Sequence, residues 1–158
     1  MPSPRYRKAV ARPAMAADVL PAPPVLDACV LVAALVPSEA HHAAARRLLA
    51  QSPDRAFLVP PHFIVEVLAA LARRGAPTDL IAGARALCES DRILALPLDE
   101  ALVEAAVEMA TTAKVHAGDA LYAALAVMES APLFTLDTDL AARLKVSYPD
   151  LVVFTDIA

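Results

Sequence analysis

FLVPPHFIVEVLAALARRG, residues 57–75, is the stretch on which the fold turns. Phe57-Leu58-Val59 is an apolar, strand-forming run. It stops at Pro60-Pro61, because proline cannot donate to a ladder. Pro61 suits the first turn of a helix. Apolar residues then recur at helical spacing through His62–Arg74, and Gly75 marks the stop. A strand followed at once by a helix is the repeating unit of an α/β protein.

The unit recurs on both sides. Upstream, Val25-Leu26 opens a strand that continues toward Ala28. A helix bearing Val30, Leu31, Ala34 and Leu35 follows and ends near Pro37. Ser38 is placed to cap a helix over Glu39–Gln51, with Ala44, Leu48 and Leu49 inward. Downstream, Pro77–Glu89 reads as a helix and Ile93–Leu96 as the third strand. Asp99 caps a helix reaching about Ala113, and His116–Ser130 is the next. Pro132–Thr135 forms the fourth strand, Asp139–Leu144 a short helix and Leu151–Phe154 the fifth strand. Strands alternating with helices demand right-handed crossovers and a parallel sheet covered on both faces. The expected architecture is a three-layer α/β domain over residues 24–158, preceded by a Pro- and Ala-rich basic tail over residues 1–23.

Composition narrows the function classes. Hydrophobic residues make up 58% of the 158, against about 45–50% in ordinary domains, and much of the excess is alanine. No charge-free apolar run approaches the roughly 18 residues of a spanning helix; Ala28–Ser38 and Ala120–Met128 are too short. Asp18, Pro21, Pro23, Pro24 and Asp27 interrupt any signal-peptide core. A soluble, cytoplasmic protein is expected. Cys29 and Cys88 form no metal-binding pair by spacing and are read as free thiols in a reducing compartment. Net charge is −4. The tail holds Arg5, Arg7, Lys8 and Arg12 against Asp18, so the remainder sits near −7. That balance excludes a strong duplex binder. It permits a nucleic-acid enzyme whose negative charge is gathered at a cation site.

Four acids carry the chemistry. Asp27 ends the first strand and Asp137 follows the fourth. Parallel sheets place their ligands at those ends, so neighbouring first and fourth strands would bring the two carboxylates together. Each could equally be a helix N-cap or turn residue. Glu66 is the only charged residue between Arg55 and Arg73. Its neighbours one turn away are His62, Phe63, Ala69 and Ala70, so it occupies either a narrow solvent face or a polar pocket. Asp119 is the only acid between Glu108 and Glu129; near a helix start, it could simply favour the dipole. No single structural explanation covers all four.

Val25-Leu26-Asp27, Phe63-Ile64-Val65-Glu66-Val67, Gly118–Ala126 (GDALYAALA) and Leu133–Asp139 (LFTLDTD) resemble, in order and spacing, the motifs of the PIN-domain family. The resemblance runs from about Pro24 to Ala158, and the last two motifs are the most specific. It implies an α/β/α sandwich on a parallel sheet of about five strands in the order 3-2-1-4-5. It implies that Asp27, Glu66, Asp119 and Asp137 bind Mg²⁺ or Mn²⁺, with Asp139 contributing through water or only capping a helix. Thr135 would support the site by hydrogen bonding. Relatives usually carry Ser, Thr or Asn just after the first Asp. Ala28 and Cys29 stand there instead, and a thiol is a weak partner, so poor support for Asp27 is expected.

The implied activity is endoribonucleolytic hydrolysis leaving a 5′-phosphate and a 3′-hydroxyl, most characteristically as the toxin of a type II toxin–antitoxin pair. A homodimer and a cognate antitoxin lying over the acidic pocket come with that reading. The alternatives are a PIN nuclease of RNA processing without an antitoxin, and a non-catalytic module whose acids hold a structural ion. Crowded carboxylates raise one another's pKa unless a cation neutralises them, and an all-oxygen set favours Mg²⁺ or Mn²⁺ over zinc. His41-His42 read as a solvated face, since adjacent helical residues point apart. His116, Arg46-Arg47, Arg73-Arg74, Arg143 and Lys145 are candidate RNA contacts or solvated helix ends.

Overall fold

The computed structural model describes residues 22–50 and 55–155; the tail expected over residues 1–23 lies, but for its last two residues, outside the described residues. Five short strands form one sheet: β1 (Val25–Leu26), β2 (Phe57–Val59), β3 (Ile93–Ala95), β4 (Leu133–Phe134) and β5 (Val153–Phe154). Their order is β3-β2-β1-β4-β5 and every neighbouring pair is parallel. β1 is the centre, with Val25 in register with Leu58 on one side and Leu133 on the other. Val25, Leu26 and Leu133 are completely buried, as strands covered on both faces must be.

Among the described residues, seven helices cover the sheet: α1 (Ala28–Leu35), α2 (His42–Ala50), α3 (Phe63–Arg73), α4 (Thr78–Cys88), α5 (Glu100–Ala113), α6 (Ala117–Met128) and α7 (Thr138–Ser147). The chain steps from β1 through β2 to β3 in one direction, then crosses to β4 and β5 in the other. Right-handed crossovers therefore put α1–α4 on one face and α5–α7 on the opposite face. Packing agrees: α1 touches α2 and α3, α3 touches α4, and α5 touches α6 and α7. The expected three-layer architecture and strand order are what the chain adopts.

Local signals explain most boundaries. Asp99 accepts the Leu102 N–H at 2.9 Å and caps α5. Gly75 takes φ +69° just past α3, a left-handed conformation that costs glycine nothing. Two expectations need correction. Ser38 caps no helix: residues 37–41 form turns, and α2 starts at His42. The His42 Nδ1 lies 2.9 Å from the Ala33 carbonyl oxygen, so this histidine ties α2 to α1 instead of facing solvent. Ala45 becomes the buried residue of α2, with Leu48 and Leu49 half-buried. The helix expected at Asp139–Leu144 begins at Thr138 and reaches Ser147, because Asp137 caps it.

Both cysteines are free. Burial pushes Cys29 up to about 12 and Cys88 up to about 11, which keeps the thiols protonated and unreactive. Among the described residues, no helix is long and apolar enough to cross a membrane.

Candidate active site

β1 and β4 lie side by side while their connections depart to opposite faces, which opens a crevice at their carboxyl ends. Asp27 and Asp137 stand on its rim. Asp27 Oδ1 accepts the Cys29 N–H at 3.1 Å and caps α1. Asp137 Oδ1 accepts the Leu140 N–H at 2.8 Å and caps α7. The two readings of these acids are thus compatible: each uses one oxygen as a cap and sits where parallel sheets place ligands.

Thr135 joins them. It is wholly buried. Its hydroxyl donates to Asp27 Oδ2 at 2.7 Å and accepts the Asp137 backbone N–H at 3.0 Å. One hydroxyl therefore ties the loop after β1 to the loop after β4. Thr135→Val keeps the shape but strands a buried carboxylate oxygen and a backbone N–H. Thermal melts of this variant should show a loss of about 1–3 kcal/mol. An unchanged melting temperature would show that the hydroxyl carries no such weight.

The weak support expected for Asp27 does not materialise. Both of its oxygens have donors, from the Cys29 backbone and from Thr135. The Cys29 thiol does other work: its Sγ accepts the Leu136 N–H at 3.3 Å and lies 3.6 Å from Thr135 Oγ1. It therefore braces the strand-to-helix turn beneath the acids.

Glu66 lies in the first turn of α3. Its polar surroundings are more definite than its apolar sequence neighbours suggest. Tyr122 Oη, from α6, donates to Glu66 Oε2 at 2.5 Å. His62 Nε2 lies 3.6 Å from the same oxygen, and its ring is 5.0 Å from that of Tyr122. A Cβ on Gly118 would meet Glu66 Oε1 at 2.8 Å. Asp119, next in α6, is half-buried. Its carboxyl is pushed up to about 6, first by burial, then by the charges of Asp27 and Asp137. His116 opposes the shift and Glu66 adds to it. The four acids thus share one electrostatic neighbourhood. Asp139 is exposed in the first turn of α7.

Among the described residues, no group of three or more His, Cys, Asp or Glu side chains stands in an arrangement that could hold a metal ion. The donor set nonetheless fits a hard divalent cation. Its four carboxylates are hard oxygen donors, and burial first, then Asp27 and Asp137, raises the proton affinity of Asp119. Charge, not depth, defines the site. A groove of about 670 Å³ lined by Val127, Pro132, Tyr148 and Phe154 among others includes none of the four acids.

Tyr122, His62 and Gly118 were not singled out from the sequence. A signal existed for Tyr122, a phenol one turn after Asp119 in an otherwise apolar helix. A buried tyrosine hydroxyl almost always needs a polar partner. Among the basic candidates, Arg74 is engaged by Glu39 at 2.7 Å, and Arg143 reaches the Lys114 carbonyl at 3.5 Å.

Three solved structures are similar. VapC20 of Mycobacterium tuberculosis, a sarcin–ricin loop cleaving toxin, aligns with TM-score 0.66 and 22% identity, over 75% of this chain and 92% of its own. VapBC2 of Rickettsia felis, solved bound to a DNA fragment from their promoter, gives 0.60 and 16%, over 82% and 96%. FitAcB of Neisseria gonorrhoeae gives 0.60 and 20%, over 82% and 95%. A search of curated protein sequences gives no match. The PIN domain family model matches residues 25–145, a span that begins with β1 and contains all four acids. The chain belongs to the PIN domain family.

Proposed function

We propose that this chain is a metal-dependent endoribonuclease, the toxin of a type II toxin–antitoxin pair, with Asp27, Glu66, Asp119 and Asp137 holding Mg²⁺ or Mn²⁺. The observation that carries the proposal is the convergence of Asp27 and Asp137 at the carboxyl ends of neighbouring β1 and β4, tied by the single Thr135 hydroxyl, with Asp119 pushed up beside them by burial and then by their charges. Structural caps have no reason to crowd together; ligands of a cation do. The similarity to a toxin that cleaves the sarcin–ricin loop supports RNA as the substrate class. Domain limits of 24–158, a homodimer and an antitoxin over the acidic pocket complete the reading.

A bound divalent cation would supply positive charge against the phosphate and lower the pKa of a coordinated water. The chain's own part is positional. Thr135 and the Cys29 N–H fix Asp27 through both oxygens. The cap to Leu140 orients Asp137, and Tyr122 with His62 flanks Glu66. Partial burial of Asp119 lessens solvent screening and strengthens its interactions. Asp139 is free to act through a water at the rim or only to favour the N-terminus of α7.

Purified chain, alone and co-expressed with the upstream reading frame, should be assayed for RNA cleavage. Excess chelator should stop cleavage, Mg²⁺ or Mn²⁺ should restore it, and Zn²⁺ should substitute poorly. Cleavage that continues unimpaired in chelator overturns the metal role. Metal binding without cleavage points to the non-catalytic module. Cleavage with neither growth arrest nor rescue by the neighbouring product points to RNA processing.

A further inference from the structure

We propose that Tyr122 and Gly118 are positioning residues for Glu66, Tyr122 by engaging Oε2 and Gly118 by leaving room for Oε1, so that the carboxylate is held ready for the cation. The inference rests on the metal-binding reading above and adds residues outside the acidic set.

Glu66 is the acid most in need of such help. It comes from α3 in one helix layer, whereas Asp119 comes from α6 in the other. Its side chain is 41% exposed, and a long carboxylate at that exposure samples many rotamers. One feature of α6 removes that freedom, and a second leaves the held position open. The Tyr122 hydroxyl donates to Oε2 at 2.5 Å from a side chain only 1% exposed, so the donor cannot swing away. Gly118 acts by omission: a Cβ there would lie 2.8 Å from Oε1 and 3.6 Å from His62 Nε2. Real Cβ atoms do not tolerate the first distance, so any side chain would turn the carboxylate away. No left-handed backbone requires glycine at 118, since Gly75 is the one described glycine with positive φ. Within a helix Ala is the better residue.

That last point separates positioning from mere structure. Gly118→Ala should leave the metal-free protein as stable as the wild type, or more so, while weakening Mn²⁺ binding about tenfold. Tyr122→Phe removes one oxygen and should weaken Mn²⁺ binding about 10- to 100-fold. Mn²⁺ affinity is read by electron paramagnetic resonance of the free ion, with thermal melts in chelator as the fold control. In a Glu66→Gln background neither change should weaken binding further, because both act through that carboxylate. Unchanged Mn²⁺ affinity in both variants, or an equal loss in the Glu66→Gln background, overturns the proposal. If Tyr122→Phe fails to fold, Gly118→Ala decides alone. A wild type that binds no Mn²⁺ overturns the metal reading itself and this inference with it, and is recognised because no variant is needed to see it.

Discussion

Asp119→Asn is expected to abolish RNA cleavage, with a loss of at least about 10³-fold in kcat/KM, or roughly 4 kcal/mol of transition-state stabilisation. The exchange is nearly isosteric and its site is a first helical turn, so the fold should survive. Asp119 is the member of the set on which the other three charges act. Removing its charge takes away a hard oxygen donor and leaves the α6 backbone in place. A circular dichroism spectrum matching the wild type, together with undetectable cleavage of a reporter RNA in Mg²⁺, is the expected pair of results. Full Mg²⁺-dependent cleavage by the variant would remove Asp119 from the site.

The same substitution should stabilise the metal-free protein, and the effect should depend on pH. The Asp119 carboxyl is raised from its ordinary 3.8 to about 6, first by burial and then by Asp27 and Asp137. The folded state therefore holds its proton more tightly than the unfolded chain. The stabilisation this gives is complete below about pH 3.8 and is lost as pH rises through about 6. In chelator, wild type should lose stability between about pH 4 and 6 through this group, while Asp119→Asn shows no such step. At pH 7.5 the variant should be the more stable by about 1 kcal/mol once solvent screening of a half-exposed group is allowed for, a few degrees in melting temperature. Mg²⁺ at a hundredfold excess over its dissociation constant should add about 2.7 kcal/mol to wild type and much less to the variant. Equal metal-induced shifts in both proteins, or none in either, would count against a shared carboxylate site. Nearly equal melts across the whole pH range would mean that Asp119 is an ordinary helix-start acid.

The framework was readable because its signals are local. Pro60-Pro61 ends β2, Gly75 ends α3 and Asp99 starts α5, each by the conformational limits of a single residue. Asp27 and Asp137 could be placed at strand ends for the same reason. The strand order came from the motif resemblance, since nothing local chooses between neighbours. What escaped depends on contacts distant in sequence. The start of α2 is set by the His42–Ala33 bond between helices, which no capping preference at Ser38 reveals. The Glu66 partner, Tyr122, lies 56 residues further along the chain. Thr135 was marked by its motif, but that its hydroxyl would serve Asp27, 108 residues away, and that position 29 would serve through its backbone N–H, are contacts the sequence does not spell out.

The central position of β1 also governs when the acidic cluster comes into being. Val25 and Leu26 leave the ribosome well before one of their two flanking partners, β4. At about 5–20 residues per second, the 108 positions from Asp27 to Thr135 take roughly 5–20 s to synthesise. During that interval β1 can pair with β2 but presents its other edge unpaired, a template for unwanted strand addition. Asp119 and Asp137 are likewise translated late, so an incomplete nascent chain holds Asp27 and Glu66 alone. The topology thus acts as a timer: assembly of the four acids waits until β4 and the loop after it have been made, and chains cut short before β4 should be aggregation-prone and without a gathered site.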